Sequence, residues 1–250
     1  MSRELLTYSN LKTSKSVELG WLTAIVHFAP AALSGYEVCK GRSKGCTAVC
    51  LNSAGHGGIG AKFDAAGKLL QANGVQTARI RRTRMFFEQR EAFFALLVRE
   101  LRLHLKRAAR MGLKPACRLN GTSDIAWESE AFTLDGVEYS SIFAAFPQIQ
   151  FYDYTKRIER MQHSIPNYHL TYSRAETLAS KIHSMQVLQS GGNVSAVFRK
   201  ALPETWNGYR VIDGVSHDLR FLDAQNVIVG LVAKGKARKS TNGFVIDVAA

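Results

Sequence analysis

Three of the chain's four cysteines, Cys39, Cys46 and Cys50, fall within twelve positions of the stretch "CKGRSKGCTAVCLNSAGHGG". Thiolates are ligands for zinc and for iron–sulfur clusters, and one short loop can bring three of them to a single centre. Zinc wants four ligands, which His56 or Cys117 would complete, but the C-x6-C-x3-C spacing lacks the short cysteine pairs of a common zinc finger. A four-iron cluster held by three thiolates leaves one iron open to a small ligand. Gly57 and Gly58, which follow the cysteines and have no side chains, are candidates to let that ligand approach. Four cysteines are too few for a disulfide scaffold at this length, and their clustering points to metal or redox chemistry in a reducing compartment.

A second set of candidates lies where apolar segments run into polar clusters. "ACRLNGTSD", "IQFYDYTKR", "YHLTYSR", "NVSAVFRK", "YRVIDGVSHD" and "VIVGLVAKGKA" share this texture. Their β-branched and aromatic content reads as strands. In parallel sheets the groups just past the carboxyl ends line the active cleft. Asp124, Tyr154 and Lys156 are the candidates for catalytic proton transfer, and Asn120 and Ser123 for holding a cofactor. Asp213 and His217, in "DGVSHD", and Lys234 and Lys236, in "AKGKARK", are candidates for holding an anionic substrate. The plainer alternative is that loops after strands are polar in any protein of this class. Six in succession favour a site.

The elements that must position these groups are legible in outline. "WLTAIVHFAP" is an early apolar segment preceding the cysteine loop, residues 39–58. Residues 77–112 read as one long basic helix, or two joined end to end, with Phe87, Phe94, Leu97, Leu101, Leu105 and Ala108 as its buried stripe and Gly112 as its stop. Arg79, Arg81, Arg82 and Arg84 are the candidates on this helix for a polyanion-facing surface, against the plainer reading of a solvated face. From 115 to 248 strands alternate with a helix that opens on Ser173 and Glu176 at capping-box spacing. The expected architecture is one α/β domain over residues 1–250, a partial (β/α) barrel-like parallel sheet with a long basic helix.

Lys plus Arg number 33 against 20 Asp plus Glu, a net +13, which attracts polyanions. "MSRELLTYSN" lacks the apolar core of a signal peptide, and the longest apolar run falls short of the roughly 20 residues that cross a bilayer. No membrane is therefore expected, and the cytoplasm is the expected compartment.

The placement of a three-thiol loop after an early apolar segment is similar to that of radical S-adenosylmethionine enzymes, although their usual loop is C-x3-C-x2-C. More specifically, "CLNSAGHGG", "RLNGTSDIAWE", "FYDYTKR", "NYHLTYS", "DLRFLD" and "GLVAKGKARKSTNGFV" resemble the phage protein family called gene product eighty-eight, from about Lys12 to Phe244. That resemblance implies a bacteriophage origin, hence the host cytoplasm, and places Cys39, Cys46 and Cys50 at the family's cysteines. Cys117 stands where the family has an aliphatic residue, which argues against it as a fourth ligand. The expected function is an iron–sulfur (4Fe-4S) enzyme using S-adenosylmethionine on an anionic substrate such as a nucleotide or nucleic acid. The alternatives are a nucleic-acid-binding protein with a structural zinc, and an adaptor that binds a host protein.

Overall fold

Every apolar segment that runs into a polar cluster forms a strand, and their β-branched and aromatic side chains fill both faces of one sheet. The computed structural model describes residues 4–8, 11–64 and 69–248. The strands are β1 (Leu6–Thr7), β2 (Trp21–Val26), β3 (Lys62–Phe63), β4 (Leu69–Gln71), β5 (Lys114–Arg118), β6 (Phe132–Leu134) and β7 (Val137–Tyr139). They continue with β8 (Gln150–Thr155), β9 (Tyr168–Ser173), β10 (Val194–Phe198), β11 (Thr205–Trp206), β12 (Tyr209–Asp213), β13 (Ile228–Val232) and β14 (Val245–Ile246). The helices are α1 (Leu11–Glu18), α2 (Ala31–Ser34), α3 (Lys44–Ala48), α4 (Gly74–Glu88), α5 (Arg90–Arg110), α6 (Ile142–Ala145) and α7 (Leu178–Gln189).

The main sheet has ten strands in the order β1-β2-β5-β8-β9-β10-β13-β12-β11, with β14 pairing β10 off this path. From β2 to β12 every neighbouring pair is parallel. Only β1 and β11, at the two edges, are antiparallel to their neighbours. Parallel strands need long crossovers, so their carboxyl ends all meet the connecting loops on one rim. The class is α/β. Among the described residues no pairing joins β1 to β11, so the sheet is open and not a closed barrel.

The outer face of the sheet packs on α4, α5 and α6. Phe28, Phe86, Phe93, Phe94 and Trp127 form an aromatic cluster between sheet and helices, with ring centroids 5.2–6.3 Å apart. Each such ring contributes about 1.5–3 kcal/mol by burial. The basic helical stretch is two helices, broken at Gln89 (φ −137°, ψ 55°). Phe94, Leu97, Leu101 and Ala108 are buried along α5. Phe87 belongs to the turn before the break, so it leaves that stripe; it is 40% exposed and stacks on Tyr36 at 4.5 Å. Gly112, at φ +65°, ends the element in a conformation that favours glycine.

Two departures shape the site. The helix after β9 begins at Leu178 and is capped by the Thr177 side chain, which accepts from the Ser180 N–H at 3.2 Å. Ser173 therefore ends a strand, and Glu176 is not its capping partner. Beyond Ser173, β9 also parts from β10: their pairing covers only Tyr172–Val194 and Ser173–Ser195, and β14 takes that edge of β10 at Val197 and Phe198. The Arg174 N–H still bonds the Ser195 carbonyl at 3.0 Å, and from Ala175 onward the chain leaves the sheet toward the rim.

Candidate functional site

The cysteine loop closes over the rim through three anchors. At its first end, the Asp124 N–H donates to the Val38 carbonyl at 2.7 Å, and the Cys39 thiol lies 3.8 Å from the Thr122 carbonyl. In its middle, Ser43 caps α3 by accepting from the Cys46 N–H at 3.0 Å. Glu176 grips the same cap: one carboxylate oxygen accepts from Ser43 Oγ at 2.6 Å and the other from the Gly45 N–H at 2.7 Å. At its far end, Arg79 of α4 donates to the Asn52 carbonyl and side-chain oxygen at 2.9 and 3.0 Å, and Gln76 bonds both Asn52 and the Gly57 carbonyl.

These anchors bring Cys39, Cys46 and Cys50 into one electrostatic neighbourhood with Asp124 and Lys156. Burial pushes the Cys39 thiol up to about 12, reinforced by Asp124, Cys50 and Cys46 and opposed by Lys156. Burial also raises the Cys46 thiol, with Lys156 again pulling the other way. All four cysteines are free thiols. Among the described residues, no group of three or more His, Cys, Asp or Glu side chains is set as a ready-made metal cage. The loop instead carries three free thiols of the donor type that iron–sulfur clusters and zinc take, and binding would have to draw them together and deprotonate them. Cys117 is fully buried in the main core and His56 is exposed, so neither joins them.

Lys156 sits just past β8. Its ammonium donates to the Ser173 carbonyl at 3.1 Å, Ser173 Oγ at 2.9 Å and the Arg174 carbonyl at 3.2 Å, and lies 5.0 Å from the centre of the Phe244 ring. Three N–H groups meet three acceptors, so Lys156 is a fixed positive charge beside the thiols. Burial lowers its pKa, while Cys46, Asp124 and Glu176 hold it up.

Asp124, expected as an open catalytic carboxylate, anchors a buried ion pair. It accepts from Arg160 Nη1 at 2.5 Å and the Lys156 N–H at 2.9 Å. Arg160 also forks onto Glu128 at 2.7 and 2.9 Å and reaches the Tyr168 hydroxyl at 2.7 Å. Asn120 and Ser123 are likewise engaged internally. Asn120 binds Asp153 through its N–H and its amide, and its side-chain oxygen accepts from Ser123, Ile125 and Trp127. These residues shape the turn after β5 and hold no open donor for a cofactor.

The glycines act by close approach. A Cβ on Gly57 would lie 2.4 Å from the Asn52 carbonyl and 2.7 Å from Arg79 Nη1; one on Gly58 would lie 2.4 Å from the Ser53 carbonyl. Both fold the loop on itself. Arg79 is buried and pinned to that loop, and Arg81 and Arg82 both reach the Glu4 carbonyl. The exposed cations of α4 and α5 are Arg84, Arg90, Arg99, Arg102, Lys106, Arg107 and Arg110.

Tyr154 points to the inner face of the sheet, where its hydroxyl donates to Asp218 at 2.9 Å and the Arg118 guanidinium lies 4.7 Å over its ring. Residues 217–223 cover that face, with Phe221 against Trp21 and Tyr152. His217 belongs to this cover and meets Arg220. Asp213 is exposed and closes its own turn onto Val215 and Ser216. Lys234 and Lys236 are exposed in the turn after β13, whose Ala233 and Ala237 pack beside Val49 and Cys46.

A sequence model of the family described as Gene product 88 matches residues 4–248. The chain belongs to this family of phage proteins. No curated protein and no solved structure matches it. Among the described residues of this Gene product 88 protein, no helix is long and apolar enough to cross a membrane.

Proposed function

We propose that this chain is an iron–sulfur enzyme that acts on an anionic substrate at the carboxyl rim of its parallel sheet, with S-adenosylmethionine as its second cofactor. The observation that supports the reading is that one loop, tied over the rim through Asp124, Glu176 and Arg79, carries Cys39, Cys46 and Cys50. A cluster on the three thiols would supply one-electron chemistry and an open iron. The chain's own residues do the rest. Arg79, Gln76 and Glu176 hold the loop, Asp124 with Arg160 fixes the turn beneath Cys39, and Lys156 balances thiolate charge. Lys234 and Lys236 place positive charge beside the loop, where an anion would arrive. The test is anaerobic reconstitution with iron and sulfide, followed by reductive cleavage of S-adenosylmethionine. Cleavage that needs all three cysteines supports the reading; an iron-loaded protein that leaves S-adenosylmethionine intact refutes the use of that cofactor.

The exposed cations along α5 favour a second reading, a nucleic-acid-binding protein of the host cytoplasm with a structural zinc on the same thiols. One zinc per chain, with no iron retained, would select it.

A further inference from the structure

We propose that the inner face of the sheet carries an anion-recognition subsite, built on Arg118 with His27 beside it, that takes a carboxylate or phosphate group of the substrate. The inference deepens the reading above by naming the chemistry of the substrate's anchored end, and its test needs no metal.

Strand alternation and register place the groups. Trp21, Thr23 and Ile25 share one face of β2, and His27 follows next in that alternation. Ile25 pairs in register with Arg118 of β5. The Arg118 guanidinium in turn lies over Tyr154 of β8. Three adjacent parallel strands thus deliver His27, Arg118 and Tyr154 side by side toward their carboxyl ends. Gly121 seals the arrangement from behind, since a Cβ there would meet Ile25 Cγ2 and the Val26 carbonyl at 2.6 Å and His27 Cδ2 at 2.8 Å. The loop after β5 therefore lies flush against His27.

The electrostatics leave a place for an anion. Asp218 accepts from Arg118 Nη1 at 2.6 Å and from the Tyr154 hydroxyl, so one carboxylate serves both groups. That is the single hydrogen bond of the Arg118 guanidinium among the described residues; Asp153 stands 3.9 Å from Nε, and 17% of the side chain stays open. A guanidinium presents five N–H donors in a fork suited to carboxylate or phosphate oxygens. His27 is half-buried, with Thr7 Oγ1 3.5 Å from Nδ1. Burial, then Arg79, Arg118 and Arg82, push its pKa down to about 3. At neutral pH it is an uncharged imidazole with one N–H to donate, surrounded by positive charge. Arg79, one of the charges acting on His27, is bonded to the Asn52 turn that follows Cys50, so it stands between the subsite and the cysteine loop.

The experiment uses the full-length, metal-free protein and follows histidine ring resonances by NMR during titration with inorganic phosphate and, separately, with acetate. A saturable shift of His27, with the buried His104 of α5 unmoved, is the expected result. Tighter binding of phosphate points to a phosphorylated substrate, and tighter binding of acetate to a carboxylic acid. Arg118→Gln should weaken the binding by about tenfold or more, the loss of one charge-assisted hydrogen bond. If that variant fails to fold, Arg118→Lys, which keeps a charge for Asp218 but lacks the fork, should still bind more weakly than wild type. No saturable His27 shift with either anion overturns the proposal, as does an unchanged affinity in a folded Arg118 variant. Iron binding plays no part in the titration, so failure here is distinct from failure of the cluster.

Discussion

Replacing Glu176 by alanine tests how the cysteine loop is held. The substitution removes the hydrogen bonds from Ser43 Oγ and the Gly45 N–H and so releases the cap of the five-residue helix that carries Cys46. Charge-assisted hydrogen bonds are worth about 1.5–3 kcal/mol each, and a lost helix cap about 1 kcal/mol. Glu176 is half-exposed, so solvent screening and water replacement reduce the total to about 1–2 kcal/mol of local stability. That corresponds to roughly a 5- to 30-fold rise in the open population of the loop. The assay is the rate of Cys46 labelling by a thiol reagent at neutral pH, resolved by peptide mass, with global stability followed in parallel by circular dichroism. Cys46 should label faster by that factor while fully buried Cys117 keeps its rate. Glu176→Gln, which keeps the shape and loses the charge, should fall between. The folded structure also holds the Glu176 pKa below its ordinary value, through Ser43 and Gly45. Its contribution is therefore present above the unfolded pKa near 4.5 and is lost as pH falls through the lower folded value. Unchanged Cys46 labelling in Glu176→Ala would refute the anchoring role.

Further outcomes follow from the same contacts. Gly57→Ala forces a Cβ against Asn52 and Arg79 and should destabilise the protein by about 1–3 kcal/mol in urea unfolding; a neutral effect would contradict the packing described. Arg160→Met strands Asp124 and Glu128 without their cation and should cost about 3–5 kcal/mol by the same measurement, with Arg160→Lys restoring little because it cannot fork. Burial lowers the pKa of His104 to about 4 and of His27 to about 3, so unfolding takes up protons. The stability these two groups contribute is full above about pH 7 and falls as pH drops from 6.5 toward 4, by up to ~1.4 kcal/mol per pH unit for each, while Asp153, raised by burial to about 7, works in the opposite direction. A His104→Gln variant whose urea midpoint depends on pH between 7 and 5 as the wild type's does would refute this. Reversing Arg99, Arg102 and Lys106 to glutamate should weaken any nucleic-acid binding and flatten its salt dependence; unchanged binding would leave that face to solvent alone.

The strands were legible because apolar alternation ending in a polar cluster is a local pattern, and β5, β8 and β9 each carry it. The cysteine loop was legible because it is contiguous. What stayed hidden depends on contacts distant in sequence. Glu176 sits at capping-box spacing from Ser173, yet it reaches 133 residues back to Ser43 because β9 parts from β10. Arg79 looks like one cation in a basic run, and only the fold of the Asn52 turn shows that it is buried. Gly57 and Gly58 read as an opening and prove to be points of contact. His27 and Arg118 lie 91 positions apart, and only the parallel register that pairs Ile25 with Arg118 brings them to neighbouring strand ends, which no local spacing reveals.

The most direct test of the central claim is metal analysis with an optical spectrum of anaerobically purified and reconstituted protein, beside a variant with Cys39, Cys46 and Cys50 replaced by serine. The account predicts brown protein with about four irons and four sulfides per chain, all lost in the variant. Wild-type protein that binds neither iron nor zinc after reconstitution, or a serine variant that retains its iron, would contradict it.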